Sequence, residues 1–245
     1  MNQEIRNALG ERIAYDWTDG RNAAGDPVVV IGHGLTSDKV RPWSVARSEA
    51  LREAGIASMR IAFSGNGDSE GRFEDSCITK EVEDLGAVLD ALGSRTVFYA
   101  GHSMGGAVGI TRASRDPRIR ALVSLAAMTH TGEFFTRMFG TLEVGAPLLD
   151  KPHCPLSETL RSDLLGIDSV EPLATSIEIP WRIVHGTADD VVPVGHSRDL
   201  HRASEGRSEL VELEDVDHSF TDEGAAAMID AVVPWIRRRV DPTDQ

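Results

Sequence analysis

The chain has 245 residues, of which 41% are hydrophobic and 26% are charged, and its formal net charge is −14 at pH 7. This length and composition predict one soluble domain, residues 1–245, with a large core. The excess of acidic residues argues against nucleic acid or an anionic membrane as a partner. No stretch approaches the roughly 20 apolar residues of a membrane span, and no apolar leader follows Met1, so we expect a cytoplasmic protein.

The cysteine content argues against disulfides and against a bound metal. The chain contains two cysteines, Cys77 and Cys154, which are too few for a disulfide framework and are compatible with a reducing compartment. Neither has the spacing of a metal site, and adjacent side chains such as His153 and Cys154 chelate a metal poorly. We therefore expect no metal and no organic cofactor. The expected partner is a small-molecule substrate, and the expected assembly is a monomer or a homodimer.

Strand and helix patterns alternate along most of the chain. Residues 4–17 alternate loosely around a short turn, which predicts two antiparallel strands. Val28–Ile31 is a continuous apolar run, as expected for a strand buried on both faces. Further strands are predicted at 57–63, 96–100, 121–127, 181–186 and 209–213, and helices at 42–54, 79–92, 106–113, 194–203 and 224–239. The alternation predicts an α/β protein with a mostly parallel central sheet flanked by helices.

This alternation stops after the sixth predicted strand, between residues 128 and 178. Roughly 50 residues are too many for a plain connection, so we predict an inserted segment, 128–178, that forms a lid over the carboxyl edge of the sheet. Five large apolar residues in it have the spacing of one helix face: Phe134, Phe135, Met138, Phe139 and Leu142. This face either docks the segment onto the body or roofs a pocket. In the second case Phe134, Phe135 and Met138 contact the substrate.

The sequence Gly101–Gly105, GHSMG, connects the strand predicted at 96–100 to the helix predicted at 106–113. It matches G-x-S-x-G, and its strand–turn–helix context predicts a nucleophile elbow with Ser103 at the apex. Glycines flank the serine because side chains there would clash across so tight a turn. The start of the helix favours negative charge that develops nearby. The alternative is a glycine-rich turn with an idle serine.

A serine nucleophile requires a general base, which we expect to be a histidine. On a fold with such an elbow, the chain order is serine, then acid, then histidine. Of the eight histidines, this order leaves His196, His201 and His218. His196 and His201 lie on a predicted helix, where we expect them to face solvent. His218 follows the last predicted strand, so it is the predicted base.

The base in turn requires a carboxylate that orients its ring. Asp189 and Asp190 directly follow the strand predicted at 181–186, and either can serve. Spacing within the turn does not decide between them, and Asp190 has the alternative role of capping the next helix.

The tetrahedral intermediate of acyl transfer requires two pre-aimed hydrogen-bond donors. One is predicted to be the backbone N–H of Met104, the residue after the nucleophile. The other is expected from the loop 32–36, and Leu35 N–H is the predicted donor. Since the glycines of this loop let the backbone approach a carbonyl group, His33 and Gly34 are predicted to lie against the substrate.

Together these motifs resemble the α/β-hydrolase fold over essentially the whole chain. The elements occur in the expected order: His33–Gly34, the glycine-rich loop 65–71, GHSMGG at 101–106, HGTADDVVP at 185–193 and Asp217–His218. More narrowly, FSGNGDSEGRFED at 63–75 with Glu81–Asp84 looks like the bacterial cinnamoyl and feruloyl esterases. This resemblance implies a serine esterase that works through an acyl-enzyme. It assigns the roles as nucleophile Ser103, base His218, orienting acid Asp189, and oxyanion donors Leu35 and Met104.

The resemblance favours a carboxylesterase for small to medium acyl or aryl esters, including cinnamoyl-like esters. Some of those esterases hold a phenolic ring with a lid tyrosine, whereas Tyr15 and Tyr99 lie outside the inserted segment. A thioesterase or a monoacylglycerol lipase with the same triad is an alternative, as is a peptidase or amidase. A non-catalytic ligand-binding protein on the same fold is an alternative of another class.

Overall fold

The computed structural model describes residues 3–21 and 27–240. The strands are β1 Ile5–Arg6, β2 Arg12–Ile13, β3 Tyr15–Thr18, β4 Val28–Gly32, β5 Ala57–Ile61, β6 Val97–His102, β7 Ile119–Leu125, β8 Pro147–Leu148, β9 Lys151–Pro155, β10 Trp181–Gly186 and β11 Ser208–Leu213. The helices are α1 Pro42–Glu53, α2 Ile78–Leu92, α3 Met104–Ala113, α4 Thr131–Phe139, α5 Glu158–Ile167, α6 Gly195–Ala203 and α7 Glu223–Val240, with 3-10 turns at Phe73–Asp75 and Glu171–Ser176. None of the helices in this described part is long and apolar enough to span a membrane.

Seven strands form the central sheet, in the order β11–β10–β7–β6–β4–β5–β3. All neighbours are parallel except β3, which pairs antiparallel with β5. The predicted α/β class with a mostly parallel sheet is therefore confirmed. In the register of β4 and β6, Gly32 lies opposite Gly101. The loop after β4 and the turn after β6 thus leave the sheet side by side, at its carboxyl edge, where such sheets bind ligands.

Each face of the sheet has its own hydrophobic core. Val28 and Val30 of β4 pack on one side with residues of α2 and α3. Val29 and Ile31 pack on the other side with residues of α1 and α7. Because successive side chains of a strand point to opposite faces, a strand buried on both faces needs apolar residues at every position. The continuous apolar sequence of β4 meets that requirement.

The N-terminal segment differs from the prediction, because residues 4–17 contribute to three strands rather than two. The two-residue strands β1 and β2 pair with each other, and β3 joins the edge of the central sheet. Ala14 separates β2 from β3, and its N–H donates to Ser69 Oγ outside the sheet. The prediction that the inserted segment follows the sixth strand is therefore wrong by one strand. In the structure it follows β7.

The inserted segment contains α4, the β8–β9 hairpin, α5 and the 3-10 turn at 171–176. The hairpin turns through Leu149 and Asp150, whose φ angles of 48° and 58° are those of a tight two-residue turn. Phe135 and Phe139 of α4 are buried in the same core as α2 and α3. The segment is thus packed onto the body of the protein through its own apolar residues.

The close packing of α3 against β6 predicts opposite effects for two glycine substitutions. A Cβ atom at Gly109 in α3 would lie 2.3 Å from Tyr99 Cε1, whereas one at Gly166 in α5 would meet nothing within 4 Å. Gly109→Ala should lower the free energy of unfolding by about 1–3 kcal/mol through overpacking. Gly166→Ala should raise it by about 0.5–1 kcal/mol, since alanine is the better helix former. Urea unfolding measures both, and equal effects would contradict the described approach of α3 to Tyr99.

Candidate active site

Ser103 stands alone between the last residue of β6 and the first residue of α3. Its backbone angles are φ 53° and ψ −119°, a region that residues with side chains rarely adopt. Besides the bonds that its carbonyl accepts from Gly106 and Ala107 of α3, two hydrogen bonds to residues outside the turn hold this strained backbone in place. Ser103 N–H donates to the carbonyl of Leu125 at 2.9 Å, and the Ser103 carbonyl accepts from Met128 N–H at 3.0 Å. The turn places Ser103 at the carboxyl edge of the sheet.

Two glycines allow the loop after β4 to approach this turn. A Cβ atom at Gly105 would lie 2.3 Å from the carbonyl oxygen of His33, and one at Gly34 would lie 2.9 Å from Ser103 Cβ. Both distances are too short for any other residue without movement of the backbone. The backbone at Gly34 is therefore within contact distance of Ser103, and Leu35 directly follows it.

Two backbone N–H groups beside Ser103 are available as hydrogen-bond donors. Within the described ranges, neither Leu35 N–H nor Met104 N–H has a hydrogen-bond acceptor, although both residues are buried. The carbonyl of Gly34 accepts from His33 Nδ1–H at 2.9 Å and from Ser37 N–H at 3.2 Å. Since C=O and N–H of a trans peptide point in opposite directions, these bonds fix the direction of Leu35 N–H. Buried, unpaired donors of this kind suit the negative oxygen of a tetrahedral intermediate.

His218 lies beside a carboxylate that is supplied by the loop after β10. His218 Nδ1 donates to Asp189 Oδ2 at 2.7 Å. Asp189 Oδ1 accepts from Val191 N–H at 2.9 Å and from Val192 N–H at 2.7 Å. His185 Nε2 lies 3.1 Å from Asp189 Oδ2. The structure thus brings Asp189 to His218, whereas the neighbouring Asp190 is exposed.

The donors around Asp189 keep its carboxylate ionised. Burial by itself raises the pKa of Asp189, but hydrogen bonds from His185 and His218 outweigh burial and hold the pKa well below its ordinary value. An ionised Asp189 fixes Nδ1 of His218 as the protonated nitrogen, which leaves Nε2 free to accept a proton.

A cavity of about 600 Å³ opens onto these groups. Ser103, His102 and His218 line it, as do Gly34 and Leu35 of the loop after β4. Its apolar wall consists of Trp43, Phe134, Leu149, Val191 and Phe220. The serine hydroxyl, the histidine and the loop with the unpaired Leu35 N–H therefore face one space that can hold a small ligand.

The remaining predicted contact residues lie in different places. The ring of His33 is buried behind the loop, where Nε2 accepts from Phe63 N–H at 3.0 Å and burial lowers its pKa to about 4. Of the α4 residues, Phe134 lines the cavity, whereas Phe135 is buried in the core and Met138 packs against that core. The helix thus directs one aromatic side chain to the cavity and uses the others for docking.

His102 has a role that the sequence does not indicate. Its ring lies between Trp43 and His218, with ring centroids 4.8 and 4.7 Å away. Its Nε2–H donates to the backbone carbonyl of His218 at 2.8 Å. Burial, followed by the charge of His218, lowers the pKa of His102 well below the ordinary value, so the ring is neutral. His102 therefore supports the loop that carries His218. In the sequence, only its position directly before Ser103 indicates that His102 lies near the site.

The expectation that His196 faces solvent is wrong. His196 is buried, its Nε2 lies 3.0 Å from Glu133 Oε2, and its Nδ1 accepts from Thr129 N–H at 3.2 Å. The ring of His130 packs against it at 4.8 Å between centroids. Glu133, Thr129 and His130 belong to the inserted segment, which covers this side of α6. The periodicity of α6 does not show that the inserted segment, which lies elsewhere in the chain, packs over His196.

The lowered pKa of Asp189 predicts how the free energy of unfolding depends on pH. Because the pKa of Asp189 is lower in the folded than in the unfolded chain, its stabilisation is complete above the ordinary carboxyl pKa and is lost as the pH falls through the folded value. Asp189→Asn should therefore lower the free energy of unfolding by about 1–3 kcal/mol at pH 7, and by less at pH 3. The exposed Asp190→Asn is the matched control, with an expected change within about 0.5 kcal/mol. Urea unfolding at both pH values measures this, and a cost of Asp189→Asn that does not shrink in acid would contradict it.

Comparison with known proteins agrees with this fold. The chain is 27% identical over 118 residues to the mitochondrial palmitoyl-protein thioesterase ABHD10 of Rattus norvegicus, and spans 38% of its length. It is 27% identical over 225 residues to a monoacylglycerol lipase of Mycolicibacterium smegmatis, covering 77% of this chain and 79% of that protein. The structure of Est1E from Butyrivibrio proteoclasticus with bound ferulic acid superposes with a TM-score of 0.86 at 24% identity, covering 97% of this chain and 99% of that one.

The family model Hydrolase_4, described as serine aminopeptidase, S33, matches residues 24–151. This match covers slightly more than half of the 245 residues, including the loop after β4, the turn at Ser103 and the first part of the inserted segment. The chain therefore belongs to the Hydrolase_4 family of serine hydrolases and has the α/β-hydrolase fold.

Proposed function

We propose that the protein is a serine carboxylesterase that hydrolyses small to medium acyl or aryl esters through an acyl-enzyme. The observation that carries this proposal is that Ser103 and His218 line the same cavity. Ser103 lies on a strained turn, and His218 is hydrogen-bonded to Asp189. Such a combination of nucleophile, base and orienting carboxylate is the arrangement that acyl transfer requires.

In the proposed reaction, Ser103 Oγ attacks the carbonyl carbon of the ester while His218 Nε2 takes its proton. The N–H groups of Leu35 and Met104 stabilise the negative oxygen of the tetrahedral intermediate. The C–O bond to the alcohol then breaks, and His218 returns the proton to the leaving oxygen. Water repeats the sequence on the acyl-enzyme, which releases the acid and restores Ser103. Throughout, Asp189 stays ionised and stabilises the protonated ring of His218.

The walls of the cavity support a preference for apolar acyl or aryl groups. Trp43, Phe134, Leu149 and Phe220 can cover such a group, and each Å² of apolar surface removed from water contributes about 25 cal/mol. The size of the cavity suits a small ligand rather than a long polymer. Neither Tyr15 nor Tyr99 lines it, so we infer no tyrosine contact to a phenolic hydroxyl.

Two observations bear on the alternative activities. The relatives named as a palmitoyl-protein thioesterase and a monoacylglycerol lipase keep a thioesterase or a lipase open, since the same groups serve each. An aminopeptidase, the activity in the family description, must bind the free ammonium group of its substrate. The cavity is instead lined by two cations, Arg41 and Lys151, and by one carboxylate, Asp222. This excess of positive charge disfavours the ammonium group of such a substrate. We therefore rank peptide hydrolysis last.

The first test removes the nucleophile. Ser103→Ala should lower kcat for 4-nitrophenyl butyrate by about 10⁴- to 10⁶-fold and abolish labelling by a fluorophosphonate. His218→Ala should be nearly as damaging, and the double variant little worse, because the groups act as a unit. Ser114→Ala, at the residue that directly follows α3 and outside the cavity lining, is the matched control and should keep full activity. Hydrolysis by Ser103→Ala within tenfold of the wild type, with circular dichroism unchanged, would refute the assignment.

The second test concerns the substrate. We expect kcat/KM to favour 4-nitrophenyl esters of short and medium chains and methyl cinnamate over aminoacyl anilides. Phe134→Ala should weaken the preference for the longer acyl chains, whereas Met138→Ala, one turn away and outside the cavity lining, should not. A dominant anilide rate would overturn the esterase proposal. A rate for methyl ferulate more than about a hundredfold above methyl cinnamate would reveal a polar group that binds the phenolic hydroxyl.

A further inference from the structure

Two cationic side chains lie on one wall of the cavity that Ser103 lines. Arg41 directly precedes α1, and Lys151 is the first residue of β9 in the inserted segment. Lys151 Nζ donates to the carbonyl of Thr36 at 2.6 Å, and Arg41 Nε donates to Ser37 Oγ at 2.9 Å. The Lys151 ammonium group and the Arg41 guanidinium group are thus both held against the same short loop, which directly follows Leu35.

Neither cation is neutralised by the protein. Among residues 3–21 and 27–240, no carboxylate forms an ion pair with Arg41 or Lys151, although the chain has 39 acidic residues. The Nη groups of Arg41 likewise have no acceptor in this described part. By contrast, the buried Lys39 lies 3.3 Å from Asp16 and 3.2 Å from Asp68. Two partly buried cations without ion pairs therefore line one cavity of a chain whose net charge is −14.

The electrostatics of the wall favour an added negative charge. Burial lowers the pKa of Lys151 and the positive charge of Arg41 lowers it further, whereas the nearby carboxylate of Asp38 acts in the opposite direction. The charged groups of Arg41 and Lys151 are thus close enough to repel each other. Among the described residues, Asp222 is the one carboxylate in the lining of the cavity that Ser103 lines. Asp38 lies near the same two cations in the adjoining cavity, but among the described residues it forms no ion pair with Arg41 or Lys151. Both cations therefore keep N–H donors that suit an added carboxylate better than a neutral group.

A second cavity, of about 450 Å³, adjoins the first and shares the lining residues Thr36, Ser37, Arg41 and Lys151 with it. The two cations therefore stand where the cavities adjoin, away from the Trp43 and Phe220 side. A ligand with its ester carbonyl at Ser103 has space to place a second group against them.

We propose that Arg41 and Lys151 form a subsite for a carboxylate of the substrate, so that the enzyme prefers esters that carry a second, anionic group. The Arg41 guanidinium offers paired donors in a plane, which fit the two oxygens of a carboxylate. Lys151 adds a second charge and remaining N–H donors. The inference rests on the proposed esterase function for its kinetic test, but the subsite itself is a binding property.

The kinetic test uses pairs of esters that differ in one charge. For the alcohol side, 4-carboxyphenyl butyrate is compared with 4-carbamoylphenyl butyrate. For the acyl side, 4-nitrophenyl hemiadipate is compared with the 4-nitrophenyl ester of monomethyl adipate. We expect kcat/KM of the wild type to favour the anionic member of at least one pair. Salt should reduce that preference, because it screens partly exposed charges.

Variants then assign the preference to the two cations. Arg41→Gln and Lys151→Gln should each lower the anionic-to-neutral ratio of kcat/KM by about tenfold or more, as expected for a charge-assisted hydrogen bond. Lys151→Arg keeps the charge and should retain most of the ratio. Arg52→Gln, at the exposed far end of α1, makes the same change in net charge and should alter neither rate. Ratios that are the same in wild type, Arg41→Gln and Lys151→Gln for both pairs would overturn the subsite.

A binding measurement separates failure of the subsite from failure of the proposed function. Calorimetry should show that wild-type protein binds adipate more tightly than hexanoate, and that Arg41→Gln weakens adipate binding about tenfold or more. If no ester is cleaved but adipate binds in this way, the subsite stands and the esterase proposal fails. If all four esters are cleaved with unchanged ratios and adipate binds no better than hexanoate, the esterase proposal stands and the subsite fails.

Discussion

The backbone of Ser103 is the constraint on which the rest of the site depends. Holding one residue at φ 53° and ψ −119° costs about 1–3 kcal/mol, and the surrounding structure must compensate for it. The compensation comes from the bond to Leu125 in the neighbouring strand and from the Tyr99 hydroxyl, which donates to the carbonyl of Gly105 at 2.9 Å. These contacts exist because β6 lies between β4 and β7 in the sheet. The strand order therefore supports the turn and also brings the loop with the unpaired Leu35 N–H beside it.

Histidines other than His218 determine how its surroundings are arranged. His33 fixes the peptide that carries the Leu35 N–H, and His102 supports the His218 loop. His185 Nε2 donates to the carbonyl of Val192 at 2.8 Å and lies 3.1 Å from Asp189 Oδ2. For His33 and His102, burial favours the neutral ring, which can donate from one nitrogen and accept at the other. The neutral rings of His33 and His102 can therefore orient peptides here without adding a buried charge beside the proposed base.

The sequence predicts the local features of this molecule better than the long-range ones. The apolar run of β4 and the strand–turn–helix around Ser103 are short-range patterns, so the parallel sheet and the elbow could be predicted. Residue spacing leaves Asp189 and Asp190 open as the orienting acid, and the family resemblance favours Asp189. In the fold, Asp189 is the one that lies against His218. The burial of His196, the support by His102 and the juxtaposition of Arg41 with Lys151 each join residues far apart in the chain. Sequence periodicity and residue spacing do not indicate such contacts. The two-residue strands β1 and β2 are too short to show a strand pattern in the sequence.

The inserted segment links substrate selection to the proposed oxyanion donor. It supplies Phe134 and Leu149 to the apolar wall, and its Lys151 bonds to the carbonyl of Thr36. Thr36 has a φ of 55°, an unfavourable value for a β-branched residue, and it directly follows Leu35. An anion bound at Lys151 would compete with the Thr36 carbonyl for the N–H donors of the Lys151 ammonium group, which also hold the strained turn at Thr36. Binding of a charged substrate group and the direction of the Leu35 N–H would then be coupled through one lysine, so changes to the hairpin that carries it should affect selectivity and rate together.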